Sequence, residues 1–145
     1  MKVKIKKVHE AAITPTYGTP HSAGFDISSI EQVTVFPGET VKIRTGLVFE
    51  LEPGYELEIR PRSGLSLKSK IRLSNSPGTI DSDYRGEVFF IVDNIMTKFP
   101  NPYIIHAGQK LGQGIIRKVD QVEFEEVIEV NQTERGDGGF GHTGL

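Results

Sequence analysis

Apolar and polar residues alternate with a period of two along most of this chain. Val-Lys-Ile-Arg at residues 41–44 and Tyr-Glu-Leu-Glu-Ile-Arg at residues 55–60 alternate strictly, and the basic run at residues 1–7 alternates lysine with valine and isoleucine. This spacing is typical of β-strands that bury one face. The same reasoning predicts further strands at residues 33–36, 47–52, 88–92, 103–105, 114–116 and 122–127.

The turn residues between these runs support an all-β fold. The pairs Pro37-Gly38 and Pro53-Gly54 each separate two apolar runs, and such punctuation between short strands is typical of a β barrel or sandwich. We found no dozen-residue window with sustained helical spacing. The pattern allows at most one short helix, over residues 64–68, with Ser63 as its N-cap.

Length and composition indicate one globular domain. The 145 residues are 37% hydrophobic and 25% charged, with a formal net charge of −2. This balance argues against a nucleic-acid binder that works through bulk positive potential. With no cysteine, disulfides and thiolate metal sites are excluded. We expect no membrane segment and no signal peptide, and therefore a soluble, cytoplasmic protein.

The segment at residues 78–88 carries the densest set of reactive side chains. Asp81, Asp83, Tyr84 and Arg85 directly precede an apolar run that must be buried. A shielded carboxylate can deprotonate water, and a tyrosine ring offers a flat wall for a sugar. We expect Asp81 and Tyr84 to face one pocket. The alternative is an acidic turn before a core strand.

Three weaker candidates lie elsewhere. At residues 61–65, Arg62 stands beside Ser63 and Gly64, where free N–H groups at a helix start would form an anion cradle. Asp26 follows a glycine between apolar neighbours, and Gln113 enters a buried strand. Their alternatives are an ordinary helix cap, a turn aspartate and an incidental amide.

The last eleven residues differ from the rest. Residues 135–145 contain five glycines and no apolar pattern, so by themselves they should be mobile. They match G-x-G-x-x-G, but too few residues follow for the helix that a dinucleotide site needs. The segment is either a frayed terminus or an arm whose Arg135, Phe140 and Thr143 close over a nucleotide. We therefore divide the chain into a β domain, residues 1–134, and an arm, residues 135–145.

Five segments in order resemble the five motifs of the trimeric dUTP pyrophosphatases (dUTPases). They lie at residues 23–27, 61–65, 75–88, 108–116 and 135–144. The resemblance implies a distorted jelly-roll-like β fold, a homotrimer with active sites shared between subunits, and hydrolysis of dUTP to dUMP and pyrophosphate with water attacking the α-phosphorus.

The resemblance also implies a role for each matched position. Asp81 matches the general base. Asp26 matches the carboxylate that holds a water on Mg²⁺, the metal itself being chelated by the triphosphate. The remaining positions would contact substrate. The phosphates would be contacted by Arg62, Ser63, Gly64 and Gln113, the uracil by Asn75, Gly78, Thr79 and Ile80, and the deoxyribose by Tyr84. From the arm, Arg135 and Thr143 would contact the terminal phosphates and Phe140 the uracil.

The chain departs from the family pattern at three positions. His142 replaces the usual serine of the fifth motif, Ser66 replaces a common alanine, and Gly114 replaces a bulky apolar residue. We expect His142 to alter a phosphate contact and Gly114 to alter strand packing. We expect Ser66 to have no effect.

Two alternatives remain open. A dCTP deaminase shares the expected fold, but it needs a carboxylate at a position that we align with Ile91, which cannot transfer a proton. A non-catalytic member of the same fold would sense nucleotides or bind a protein partner. In either case neither a membrane nor nucleic acid is expected as a direct partner.

Overall fold

The computed structural model describes residues 1–97 and 102–142, and short strands dominate it. The described residues form twelve strands and one helix. They are β1 (Lys4–Lys7), β2 (Thr16–Tyr17), β3 (Phe25–Ser28), β4 (Val33–Val35), β5 (Thr40–Arg44), β6 (Leu47–Glu50), β7 (Tyr55–Pro61), α1 (Ser63–Lys68), β8 (Ile71–Leu73), β9 (Gly78–Ile80), β10 (Phe89–Asn94), β11 (Tyr103–Ile105) and β12 (Lys110–Lys118).

The strands pair antiparallel in four small sheets. The largest has the order β2-β3-β12-β7-β9, the next β5-β10-β8, and two pairs are formed by β1 with β6 and by β11 with β4. These non-sequential neighbours describe a distorted jelly-roll, so the all-β prediction is confirmed. In this arrangement β9 is an edge strand of the five-stranded sheet.

The alternation read from the sequence explains which face of each strand is buried. In β7, Leu57 and Ile59 point into the core, whereas Glu56 and Arg60 lie on the opposite face. Each large apolar side chain removed from water contributes about 1.5–3 kcal/mol. The largest fully buried apolar side chains, drawn from several parts of the fold, are Ile27, Val35, Ile43, Leu47, Leu57, Ile71, Val88, Phe90, Val92, Ile105 and Leu111.

A half-buried carboxylate fixes the start of β10 to the turn between β5 and β6. Glu87 accepts a hydrogen bond of 2.9 Å from Arg44 Nη2 and one of 2.7 Å from the backbone N–H of Gly46. Burial raises the pKa of Glu87, but these hydrogen bonds and the charge of Arg44 together lower it below its ordinary value. Glu87 is therefore held as an anion in the fold.

The glycine at position 114 is explained by its neighbour on β3. A Cβ built on Gly114 would lie 2.4 Å from Phe25 Cε2 and 2.9 Å from Leu57 Cδ1. The phenyl ring of Phe25 therefore occupies the volume that a larger residue on β12 would take. Gly114 lies opposite Phe25 in the register of β12 and β3. The altered packing expected at this position is therefore local: a small residue on β12 makes room for a large one on β3.

The strand predicted at residues 122–127 does not form. The sheet ends with β12 at Lys118, and the following residues pair with no strand among those described. Their apolar side chains are instead exposed: Val122, Phe124, Val127, Ile128 and Val130. These residues do alternate between apolar and polar, but the described part of this single chain provides no surface against which the apolar side chains could pack.

The only helix among the described residues is α1, six residues long. It is far too short to cross a bilayer, and nothing else in residues 1–97 and 102–142 qualifies as a membrane-spanning helix.

Candidate active site

Strand ends of the five-stranded sheet form an open cleft of about 590 Å³. Asp26 on β3 and Gln113 on β12 lie directly opposite each other in the register, and Arg62 stands between β7 and α1. We call this the Arg62 cleft. It is lined by Gly18, Ser22, Ala23, Gly24, Asp26, Arg62, Ser63, Gly64, Leu65, Lys68 and Gln113.

The Asp26 carboxylate sits between two cations. Its Oδ1 lies 3.0 Å from Nε of Arg62, and its Oδ2 accepts a hydrogen bond of 2.7 Å from Nζ of Lys110. The Asp26 side chain is only 17% exposed. With Lys68 in the lining, cations outnumber the single carboxylate, so the cleft favours a polyanion.

The Gln113 side chain is held across the cleft floor. Its Nε2 donates a hydrogen bond of 3.1 Å to the Pro61 carbonyl. A Cβ at Gly24 would lie 2.7 Å from Gln113 Oε1. A glycine at position 24 is therefore needed for this amide to lie where it does.

Ser63 does not cap the helix as predicted. Residue Arg62 is the N-cap, with extended backbone geometry and no capping hydrogen bond from its side chain, and Ser63 is the first helical residue. β7 ends at Pro61, where a strand end was expected, but the helix begins at Ser63, one residue earlier than predicted. Ser63 and Gly64 nevertheless line the cleft as expected.

Asp81 lies in a second, larger cleft of about 820 Å³, which we call the Asp81 cleft. Asp81 follows β9 and begins a tight turn, since Tyr84 N–H donates to the Asp81 carbonyl at 3.2 Å. Arg85 Nη1 closes the turn by donating to the carbonyls of Ser82 and Tyr84. The cleft is lined by Pro53, Gly54, Tyr55, Glu56, Thr79, Asp81, Ser82, Asp83, Val119 and Gln121.

Tyr84 does not share this cleft with Asp81, contrary to the prediction. Its hydroxyl donates a hydrogen bond of 3.0 Å to the Glu87 carbonyl, and its ring lies over Gly86, where a Cβ would approach the ring to 2.4 Å. The turn reverses the chain between the two side chains. The anchored hydroxyl leaves the ring partly exposed, with a fixed orientation.

Asn75 and Gly78 border a recess of about 20 Å³, which has room for about one water molecule. The Asn75 amide packs on the backbone of Gly78, where a Cβ would lie 3.1 Å from Asn75 Nδ2. Ile80 and Ile91 also line the recess. Beside it runs the outer edge of β9, whose backbone groups directed away from β7 pair with no strand among residues 1–97 and 102–142 and can pair with a ligand.

An ion network occupies the outer face of β7 and β12. Glu58, which is buried, accepts hydrogen bonds from Arg60 and, at 3.1 Å, from Arg117 Nη1. The hydrogen bond from Arg60, helped by the charges of both arginines, lowers the pKa of Glu58 against the opposing effect of burial. This network is paired internally, so it adds little attraction for a ligand.

The two clefts lie at opposite ends of β7. The Asp81 cleft includes Tyr55, the first residue of the strand, and the Arg62 cleft begins just beyond Pro61, the last. At about 3.3 Å per residue, the strand separates them by about 20 Å. Within one chain the predicted base and the predicted phosphate contacts are therefore not brought together.

The described residues of the C-terminal segment form local turns. Their backbone hydrogen bonds join residues three apart, from Thr133 to His142, and Arg135 Nε donates to the Gly138 carbonyl at 2.9 Å. Phe140 is fully exposed, and the His142 ring lies against Gly138. Thr143, a predicted phosphate contact, lies outside the described residues.

Sequence reasoning missed Lys110. The sequence of the fourth segment, residues 108–116, predicts a turn entering a strand, with Gln113 as its one candidate site residue. The register between β12 and β3 shifts between Lys110 and Gly112. The alternation of apolar and polar residues does not predict where such an irregularity occurs. A lysine three residues before Gln113 was the available signal, but its contact with Asp26 follows only from that shift.

The residues of the Arg62 cleft fit a magnesium ion that a ligand brings with it. No group of three or more His, Asp or Glu side chains within residues 1–97 and 102–142 is placed to hold a metal. Mg²⁺ usually keeps several waters and binds through one or two carboxylates together with substrate phosphates. Asp26, the one carboxylate of the cleft, suits a hydrogen bond to such a water.

A cation-rich cleft, a carboxylate cleft and an open strand edge together define a jelly-roll protein that binds a phosphorylated small molecule. The family model for dUTPase matches residues 10–144, and the chain belongs to the dUTPase family.

Named relatives match over the full chain. The deoxyuridine 5'-triphosphate nucleotidohydrolase of Nautilia profundicola is 50% identical over 144 residues, covering 99% of each chain. That of Helicobacter pylori (strain P12) is 42% identical and covers 100% of this chain and 98% of the relative. Among solved structures, the dUTPase of Staphylococcus bacteriophage 80alpha with dUPNHPP superposes with a TM-score of 0.92 at 25% identity, covering 99% of each chain.

Proposed function

We propose that this chain hydrolyses dUTP to dUMP and pyrophosphate, by attack of water on the α-phosphorus. One observation carries the proposal. Asp81 and the Arg62 cleft, which match the base and phosphate motifs, both occur in a chain that matches the family and its named nucleotidohydrolases over nearly its whole length.

Asp81 activates the water. It sits in an open cleft on a turn fixed by its own hydrogen bonds, so its carboxylate is accessible and its backbone is held. The carboxylate accepts the proton of the attacking water, a role that contributes about 10²–10⁴-fold to rate. Arg62 and Gln113 hold the phosphates and offset the negative charge that grows on the leaving pyrophosphate.

The edge of β9 recognises uracil. Backbone groups of Thr79 and Ile80, together with the Asn75 amide, offer donors and acceptors in the way that a paired base does. Cytosine would leave such groups unpaired, at a cost of about 1–3 kcal/mol for each group. The ring of Tyr84, fixed through its hydroxyl, supplies a flat wall for the deoxyribose.

Asp26 would hold a magnesium ion through a hydrogen bond to one of its water ligands. Such an ion, brought by the triphosphate, would supply neutralisation of the phosphate charge. This chain supplies the anchoring carboxylate and the flanking cations, Arg62 and Lys110.

The enzyme works as a homotrimer with shared sites. The base and the phosphate cleft of one chain lie about 20 Å apart along β7, so the Asp81 that serves a given Arg62 cleft comes from a second copy. Exposed apolar residues beyond β12, Phe124 and Ile128 among them, support the same conclusion. Each would contribute about 1.5–3 kcal/mol if a neighbouring copy covered it.

Residues 135–145 form the arm that closes the site of a neighbouring copy. Arg135 and Thr143 contact the terminal phosphates, and Phe140, now fully exposed, covers the uracil. His142 takes the place of the family's serine beside the phosphates.

Pyrophosphate release from dUTP tests the proposal, with dCTP, dTTP and UTP as comparisons. We expect rapid release with dUTP and much slower release with the other three. Ammonia release from dCTP would identify a deaminase instead, although Ile91 beside the recess offers no proton-transferring group. Tight dUTP binding without turnover would identify a nucleotide sensor.

A further inference from the structure

Lys110 lies in the fourth motif segment, residues 108–116, but the resemblance gives it no role, and in the structure it makes an ion pair with Asp26. Its ammonium donates to Oδ2 of Asp26 at 2.7 Å, while Arg62 faces Oδ1 at 3.0 Å. Without such contacts, the terminal torsion angle of an aspartate side chain takes a broad range of values. With one cation on each oxygen, the plane of the Asp26 carboxylate is fixed.

An irregularity in β12 brings Lys110 to this position. Lys110 pairs with Ser28 and Gly112 with Ile27, so Leu111 is an extra residue on β12. In a regular strand Lys110 and Gln113 would point to opposite faces. The extra residue buries Leu111 in the core and turns Lys110 to the face of Asp26, as β-bulges commonly do when they redirect a side chain.

Lys110 approaches Asp26 from outside the cleft. Asp26 and Arg62 both belong to the cleft lining, whereas Lys110 does not. A phosphate bound in the cleft would compete with Asp26 for Arg62, because both are anions within reach of one guanidinium. Lys110 would then be the remaining restraint on the Asp26 carboxylate.

We propose that Lys110 is a positioning residue of this site, which holds the Asp26 carboxylate in the orientation that accepts a hydrogen bond from a magnesium-bound water and does not itself contact phosphate. This inference rests on the proposed function, and it concerns how the chain's own residues prepare the site. Removing comparable outer partners of metal-site groups typically costs about 10–100-fold in metal affinity.

Binding of dUPNHPP at varied Mg²⁺ concentration, measured by calorimetry, tests the proposal without turnover. Lys110→Met keeps the aliphatic stem and loses the charge. We expect it to raise the Mg²⁺ concentration for half-maximal tight binding by about 10-fold or more, and Lys110→Arg to restore it within about threefold. With EDTA present, Lys110→Met and the unmodified chain should bind dUPNHPP alike.

A double-mutant cycle separates positioning from contact. In an Asp26→Asn background, Lys110→Met should have no further effect on the Mg²⁺ response, because the group that it positions is gone. Lys4→Gln is the matched control: it breaks another lysine–carboxylate pair of 2.7 Å, with Glu50, in a different sheet. It should leave the Mg²⁺ response unchanged.

Three results would overturn the proposal. The first is an unchanged Mg²⁺ response in Lys110→Met. The second is a loss of dUPNHPP binding by Lys110→Met that is as large in EDTA as with Mg²⁺, and the third is an additive loss when Lys110→Met is combined with Asp26→Asn. The second and third results would indicate that Lys110 contacts phosphate directly. If Lys110→Met does not fold, as judged by thermal unfolding, Lys110→Gln replaces it with the same expected results. Absence of dUTP hydrolysis in the unmodified chain would refute the proposed function instead, so the two outcomes are distinct.

Discussion

Mixing two inactive variants should restore activity if the base and the phosphate cleft come from different chains. Asp81→Asn removes the proposed base, at an expected loss of about 10²–10⁴-fold. Arg62→Gln removes a phosphate contact, at an expected loss of about 10²–10³-fold. Each variant alone should therefore be nearly silent in a pyrophosphate-release assay with dUTP.

The size of the recovery follows from the distance along β7. Since Asp81 and Arg62 of one chain lie about 20 Å apart, they cannot act on the same phosphorus. In a mixture of equal parts, about half of the clefts retain Arg62, and about half of the Asp81 residues facing them are intact. About one quarter of the sites should therefore be complete in randomly assembled trimers, and about one third in the trimers that contain both variants, since each of these has one complete site of three.

The assay uses co-expressed, separately tagged variants, purified through both tags and compared with the unmodified enzyme. A second pair provides the matched control. Arg62→Gln and Gln113→Ala both damage the same cleft, so mixing them leaves every cleft defective. This control pair should stay at the level of its separate members.

Activity of the Asp81→Asn and Arg62→Gln mixture no higher than that of the separate variants would refute shared sites. So would recovery in the control pair, because every cleft of that mixture carries a defect, and recovery there would show that mixing restores activity without a base from a second copy. Full activity of Asp81→Asn alone would remove the base from the mechanism altogether.

Three further predictions concern stability and the arm. Glu87→Gln should lower the free energy of unfolding by about 1–3 kcal/mol at pH 7. Because the pKa of Glu87 is lowered in the fold by Arg44 among others, this difference should shrink in urea titrations as pH falls below about 4. Gly114→Leu should lower the melting temperature by overpacking against Phe25, and Phe25→Ala in the same chain should recover part of the loss. Deleting residues 135–145 should leave the oligomer intact in light scattering but cripple dUTP hydrolysis, and dissociation would instead make the arm structural.

Much of the fold was predictable because the alternation is local. Strands β5 and β7 lie where strict alternation placed them, and the inward side of β7 matches its apolar positions. The failure at residues 122–127 is equally instructive. Periodicity predicts that one face of a segment is to be covered, but not which chain covers it.

The site was predictable as a set of residues but not as an arrangement. Asp26, Arg62 and Gln113 come together through strand register, which no spacing rule specifies. The contact of Lys110 with Asp26 depends on a register shift, and the separation of Asp81 from Tyr84 depends on a single turn. These features depend on long-range strand pairing or on a single backbone irregularity. The hydrophobic pattern of the sequence predicts neither of these.

A site shared between chains accounts for features that are costly in a single copy. The exposed Phe124 and Ile128, and the glycine-rich arm with its exposed Phe140, add nothing to the stability of their own domain. In the proposed trimer each gains a partner, and the base meets the phosphate cleft across a subunit contact instead of along β7. Catalysis is then coupled to assembly, because a dissociated chain retains every catalytic side chain and still lacks a complete site.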